Sequence, residues 1–251
     1  TRVSNVKVTP NLVIALADRH LGVGFDQLAV ITKGNDLTIT FYNADGSQSA
    51  ACGNATRCIA AHEMTHSHKK VLDITIAGRG ILRAEQNKDG TISVNMGQPQ
   101  LEWQDIPLSH ETDTLSLPIN GTPVATGMGN PHCTFFVDDI HTTDVINRGA
   151  EIEHHPLFPE RTNVQFAQII GRDHIRMRVW ERGTGLTLAS GSSSCATAVA
   201  AVRRGLTSHS VKIELDGGIL HIDWRKNGVW MTGPTAHVFN GTLTQSFLKK
   251  L

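Results

Sequence analysis

Apolar and polar residues alternate at Leu37, Ile39 and Phe41, and again at Ile175, Met177 and Val179. A period of two puts alternate side chains on one face, so both stretches predict half-buried strands. Each is followed by a Gly-containing polar connection and then by an Ala-rich run, 55–64 and 195–203, with apolar residues at helical spacing. After each helix the pattern predicts two strands joined by a tight turn, at Lys88-Asp89-Gly90 and at Lys226-Asn227-Gly228.

The two halves therefore read as one unit written twice. Ala51-Cys52-Gly53 aligns with Ala189-Ser190-Gly191 at an offset of 138 residues, and Gly80-Ile81-Leu82 aligns with Gly218-Ile219-Leu220 at the same offset. Asn43 and Glu181, each ending a strand-like run, keep that register. The expected fold is α+β: two pseudo-symmetric domains, each a curved, mostly antiparallel sheet wrapped around a central helix. The expected boundaries are residues 1–104 and 105–235, with residues 236–251 returning to the first domain through a strand from Ala236 to Leu243. A site between the halves would receive Cys52 from one and Ser190 from the other. The segment Gly127-Met128-Gly129-Asn130-Pro131-His132 has its counterpart before residue 1, so the chain reads as starting roughly ten to twenty residues into its first repeat.

Composition narrows the function. Lys plus Arg equals Asp plus Glu at 23 each, so no basic field exists to gather nucleic acid or an anionic membrane. No apolar run approaches the length of a membrane span, and the N-terminus lacks the pattern of a secretory signal. The partner expected is a small molecule, with no nucleic acid and no membrane. Four cysteines, at 52, 58, 133 and 195, are too sparse for a disulfide scaffold. Thiols available for chemistry in a reducing cytoplasm are the expectation.

Cys52-Gly53-Asn54 and Ser190-Gly191-Ser192 both lie where a loop runs into a helix. Exposed N–H groups and the positive end of the dipole favour a carboxylate there and stabilise a thiolate. The glycines let a ligand approach the backbone. Two such ends facing each other could clamp one α-carboxylate and stabilise the charge that builds as an α-proton leaves. Cys58, Cys133 and Cys195 lack this setting and read as packed thiols.

A collinear motif series then emerges: Leu16 to Gln27, Asn43-Ala44-Asp45-Gly46-Ser47, Ala51-Cys52-Gly53-Asn54, Met128-Gly129-Asn130-Pro131-His132, Pro159-Glu160-Arg161-Thr162-Asn163 and Glu181-Arg182-Gly183. The series resembles that of the diaminopimelate epimerase family over essentially the whole chain. The resemblance implies epimerisation of LL- to meso-diaminopimelate, a step toward lysine and peptidoglycan, with no pyridoxal phosphate, metal or other cofactor. It also implies a homodimer. By position, Cys52 matches one of two catalytic thiols, and Gly53, Asn54, Gly191 and Ser192 match the groups that hold the α-carboxylate. His132 and Glu181 match the pair assisting at the reacting centre. Gln27, Asn43, Asn130, Asn163 and Arg182 match substrate-binding positions, the arginine fork suiting a carboxylate.

Two departures stand out. The family has Ala-Cys-Gly where this chain has Ala189-Ser190-Gly191, and a hydroxyl is a far weaker acid than a thiol. The family's N-terminal Gly-Asn-Asp-Phe strand has no match. A racemase of another amino acid, and a binding-competent but catalytically impaired variant, are the alternatives. His62-Glu63-Met64-Thr65-His66 also fits the zinc-protease pattern, but no clear third ligand accompanies it, and the plainer reading is a solvated helix end. A Cys–His hydrolase built on Cys52 and His132 would instead cleave an ester or amide.

Overall fold

The computed structural model describes residues 7–33, 37–49 and 52–248. The fold is α+β, in two compact units: residues 1–92 with 234–251, and residues 93–233. No helix among the described residues is long and apolar enough to cross a membrane.

The first unit opens with α1 (Pro10–Ala17), which Thr9 caps by accepting the Leu12 N–H, with Pro10 at the first helical position. There follow β1 (Gln27–Lys33), β2 (Leu37–Asn43), β3 (Gln48–Ser49), α2 (Gly53–Ser67), β4 (Val71–Ile76) and β5 (Gly80–Gln86). Strands run in the order β1-β2-β4-β5, with β3 paired to β2. Strands β2 and β4 pair in parallel, as the intervening helical crossover requires. Val13, Leu28 and Val30 form a small core under Val8, Phe25 and Tyr42. Gly46 lies against the start of α1, where a Cβ would meet the Pro10 carbonyl at 2.9 Å.

The second unit contains β6 (Ile92–Asn95, starting at the boundary), β7 (Val124–Gly127), β8 (Pro131–Phe136), α3 (Val145–Glu153), β9 (Asn163–Gly171), β10 (His174–Glu181), β11 (Gly185–Thr187), α4 (Gly191–Arg203), β12 (Ser210–Leu215), β13 (Gly218–Arg225) and β14 (Gly228–Gly233). Its strand order is β6-β14-β13-β12-β10-β9-β8-β7, with β11 on β10. Alternation splits the sheet cleanly. Ala125, Cys133, Phe135, Val164 and Phe166 join the core on one face, where α3 packs. α4 lies on the other face, against β7, β8, β9, β12, β13 and β14. Its small residues, Cys195, Ala196 and Ala198 to Ala201, are buried all round, as befits a helix enclosed by strands.

The repeat is visible in the element bounds. α2 and α4 begin at Gly53 and Gly191, and β5 and β13 begin at Gly80 and Gly218, all at the offset of 138. The pairs Phe41–Ser49 and Tyr42–Gln48 recur as Val179–Thr187 and Trp180–Leu186. Elsewhere the offset drifts. Ala29 opposite Phe41 corresponds to Gln165 opposite Val179, an offset of 136 in the first strand of each repeat. Ile76 opposite Gly80 corresponds to Leu215 opposite Gly218, so β12 runs one residue ahead and a shorter turn restores the register.

Three features differ from the sequence-based expectation. Each helix is followed by three strands rather than two, since 71–76 and 210–215 each add a strand, parallel to β2 and β10 respectively. Residues 93–104 group with the second unit, where Met96 N donates to Val229 O and Val229 N to Gly97 O. The segment 236–243 belongs to the first unit but is not a strand. Within it His237 Nε2 is hydrogen-bonded to Asn240 Oδ1, and Val238 and Phe239 remain exposed before the short α5 (Gln245–Leu248).

Candidate active site

In the first unit Cys52 occupies the N-cap of α2 with extended backbone, φ −147° and ψ 94°. Its Sγ accepts the Ala55 N–H at 3.4 Å, so the sulfur sits on the donor end of the helix. The Thr56 hydroxyl donates to the Cys52 carbonyl at 2.9 Å. Gly53 is the first helical residue and is buried. Asn54 Oδ1 accepts from Arg57 Nη1 at 3.1 Å, and Arg57 Nε donates to the Pro234 carbonyl. Buried Arg57 thereby fixes which end of the Asn54 amide is offered outward: the Nδ2 donor. Gln27 and Asn43 face each other across β1 and β2, with Gln27 Nε2 donating to Asn43 Oδ1 at 3.0 Å. Asn43 Nδ2 in turn donates to Ser47 Oγ, whose hydroxyl donates to Asp45. These two Ser47 donors, side-chain first and then backbone, hold the Asp45 carboxyl below the usual carboxylate range.

In the second unit Ser190 takes the same cap position on α4, φ −139° and ψ 122°. Its hydroxyl makes no capping bond, although serine is among the best caps. The Ser194 hydroxyl donates to the Ser190 carbonyl at 2.8 Å, repeating the Thr56–Cys52 contact 138 residues on. Both helices thus present a cap residue anchored through its carbonyl. In one the side chain is a thiol, in the other a hydroxyl.

His132, on β8, is fully buried. Its Nε2 lies 2.9 Å from Asn130 Oδ1, and its Nδ1 lies 3.0 Å from Gln165 Nε2. An amide nitrogen only donates and a carbonyl oxygen only accepts, so the ring carries its proton on Nε2. Gln165 Nε2 also donates to Ser193 Oγ in the first turn of α4, and Thr134 Oγ1 donates to Gln165 Oε1. Asn163 is a bracket: its Nδ2 donates to the Pro131 carbonyl and its Oδ1 accepts the Arg182 N–H, each at 3.0 Å. The start of β8 is thereby tied to the turn that carries Glu181 and Arg182.

That turn has a second support. Buried Glu153 accepts the Gly183 N–H at 2.8 Å and the Trp180 Nε1–H at 2.7 Å. Glu181 Oε1 accepts the Thr187 hydroxyl at 2.6 Å, and Arg182 Nη1 donates to the Glu160 carbonyl. The structure therefore joins Asn130 with His132, Asn163 with Arg182, and Gln27 with Asn43. Sequence reasoning missed Arg57, Glu153, Gln165 and the Thr56 and Ser194 hydroxyls. The last two carried a signal, a hydroxyl four residues past each cap at the repeat offset, whereas Glu153 carried none.

The zinc-protease pattern lies late in α2. The His62 and His66 rings are 4.3 Å apart, but His66 Nδ1 bonds the His62 carbonyl and Glu63 is buried. No group of three or more His, Cys, Asp or Glu side chains among the described residues is arranged for a metal.

A family model for diaminopimelate epimerase matches residues 2–102 and 124–238. The chain belongs to the diaminopimelate epimerase family. It is 48% identical over 243 residues to the diaminopimelate epimerase of Rhodospirillum centenum, covering 93% of this chain and 83% of that protein. To the diaminopimelate epimerase of Acidiphilium cryptum it is 47% identical over 255 residues, covering 98% and 91%. Among solved structures, a hydroxyproline epimerase from Agrobacterium vitis aligns with a TM-score of 0.60 at 12% identity, covering 88% of this chain and 76% of that one. A phenazine biosynthesis protein of the PhzF family from Bacillus anthracis aligns with a TM-score of 0.57 at 14% identity, covering 84% and 81%. Those two likenesses speak to the fold. The stretch between the two matched segments, 103–123, is held in the second unit by buried Ile106, Leu108, Leu117 and Ile119.

Proposed function

We propose that this member of the family epimerises LL-diaminopimelate to meso-diaminopimelate by moving a proton at the α-carbon, without a cofactor. The observation that carries the reading is the matched pair of helix caps, Cys52 on α2 and Ser190 on α4, each followed by a buried glycine. In this reading the Cys52 thiolate serves one face of the α-carbon and the group at position 190 serves the other. The N–H groups of Gly53, Asn54, Gly191 and Ser192 bind the reacting α-carboxylate and the charge that develops beside it. His132 and Glu181 assist at the reacting centre. Gln27, Asn43, Asn130, Asn163 and Arg182 read or frame the distal amino-acid end.

Ser190 sets the rate. A serine hydroxyl needs activation that a thiol at a helix N-terminus does not, so the step through position 190 limits turnover. The protein acts on this reading as a homodimer in the cytoplasm, where thiols stay reduced. Sedimentation equilibrium at micromolar concentration checks the dimer.

The test follows α-hydrogen exchange in deuterium oxide by mass spectrometry and NMR, with LL- and meso-diaminopimelate as substrates. Exchange with both isomers, and its loss in Cys52→Ala, is the expected result. Exchange in Cys52→Ala at the native rate would remove the assignment.

A further inference from the structure

We infer that Gln165 is a positioning residue that sets the polarity of a buried hydrogen-bond chain, so that Asn130 offers its amide N–H to a substrate carboxylate. This rests on the reading above in one respect, that Asn130 faces the substrate.

The chain runs in one direction. The Thr134 hydroxyl donates to Gln165 Oε1, Gln165 Nε2 donates to His132 Nδ1, and His132 Nε2–H donates to Asn130 Oδ1. Each link fixes the next. Gln165 holds both amide protons in place, one on His132 and one on Ser193 Oγ. With its Nδ1 accepting, His132 can donate only from Nε2. With its Oδ1 accepting, Asn130 can present only Nδ2 outward. Burial makes the arrangement stiff: Thr134, His132, Gln165 and Ser193 are all fully buried, whereas Asn130 is half-exposed. In a low-dielectric interior an amide facing the wrong way costs as much as a lost hydrogen bond, so the polarity at the buried end is transmitted to the exposed end.

The groups described on this face are amides and hydroxyls. Thr126 on β7 lies directly opposite His132 in the ladder and shares its face, and its buried hydroxyl has no partner. On β8, β9 and α4 the neighbours are Thr134, Gln165 and Ser193. Their orientations set the direction of the chain from Thr134 to Asn130. Gln165 is the member of this group that bonds Nδ1 of the ring.

Gln165→Glu has the same shape and reverses the chain. A carboxylate accepts from His132 Nδ1–H, Nε2 then accepts from the Asn130 amide, and Asn130 turns its oxygen toward the ligand. Gln165→Met keeps the volume and removes the polarity. The protein labelled with 15N-histidine, with the His132→Gln variant to assign the signal, reports the ring tautomer without any substrate. The native chain is expected to show a protonated Nε2 and a bare Nδ1. Gln165→Glu is expected to move the proton to Nδ1 and raise KM for diaminopimelate about ten- to a hundred-fold, the effect of losing a charge-assisted hydrogen bond to a carboxylate. Gln165→Met gives a mixed tautomer and an intermediate KM.

An Nδ1–H ring in the native chain overturns the proposal. So does a tautomer that survives both substitutions, or a KM that stays put after the tautomer has reversed. A native chain that neither binds nor exchanges diaminopimelate sinks the epimerase reading instead, and the tautomer signals still decide the role of Gln165.

Discussion

Replacing Gly149 by alanine sets two effects of opposite sign against each other. Gly149 lies inside α3, where alanine is favoured over glycine by about 1 kcal/mol on helix propensity alone. Yet a Cβ there would lie 2.6 Å from Trp180 Cβ and 2.7 Å from Trp180 Cγ, distances that real contacts do not reach. These atoms sit at the root of a strand side chain, so the ring has no easy retreat. Overpacking of this kind costs about 1–3 kcal/mol. Displacing the ring also strains the bond from Trp180 Nε1 to buried Glu153, and hydrogen bonds to charged groups contribute about 1.5–3 kcal/mol. Packing therefore wins, and Gly149→Ala should destabilise by about 2 kcal/mol net. Urea denaturation should show a lower midpoint with an unchanged slope, and Tm should fall by roughly 4–8 °C, at about 2–4 °C per kcal/mol. Because Glu153 also holds the Gly183 N–H, KM should rise as the turn bearing Arg182 loosens. An unchanged or raised Tm would show that helix propensity governs this position and that the Trp180 contact yields freely.

Other positions give sharper single readings. Thr197, buried in α4, has a hydroxyl with no partner, so Thr197→Val should stabilise by about 1 kcal/mol in urea titration; destabilisation would mean the hydroxyl is bonded. Asp216 is the pH-sensitive group on β12–β13. Burial alone would raise its carboxyl, but the hydrogen bonds and charges of Arg176 and Arg178 outweigh that and hold it below its usual 3.8. Its stabilisation is present above the unfolded value and is lost as pH falls through the lower folded value. Asp216→Asn should therefore flatten the decline of the urea midpoint below about pH 4 and leave the rest of the profile parallel. Brief iodoacetamide treatment should label Cys52 before the more exposed Cys58, because Cys52 sits on a helix N-terminus. Cys133, whose thiol burial pushes up, and buried Cys195 should stay unlabelled in the native state; faster labelling of Cys58 would count against a thiolate at position 52.

Much of the architecture was legible because the chain repeats itself. The strand patterns at Leu37–Phe41 and Ile175–Val179 and the glycines at 53, 80, 191 and 218 located the main elements and their register. What escaped was whatever tertiary context supplies. The strand 71–76 pairs with β2 across the intervening helix, a long-range pairing that local alternation does not name. Residues 236–243 read as a strand, but a strand needs a ladder partner, and the segment joins no ladder among the described residues. At the site, short motifs named Cys52, Asn130, His132 and Glu181. They could not show that Asn163 is tied to two backbone groups, or that Gln165 grips the far side of the histidine ring. Those contacts arise between β8, β9 and the turn after β10, which meet only once the sheet has formed.

In the proposed mechanism one proton-transfer group of this epimerase is the Cys52 thiolate, and the serine at 190 limits the other. The most direct measurement is the rate at which solvent deuterium enters the α-position of the epimerised product, in the native chain and in Ser190→Cys. A thiol in that place should speed incorporation by about 10²–10⁴-fold, the range that a well-matched acid or base supplies. An unchanged or slower rate in a folded Ser190→Cys protein would contradict the pairing of the two helix caps.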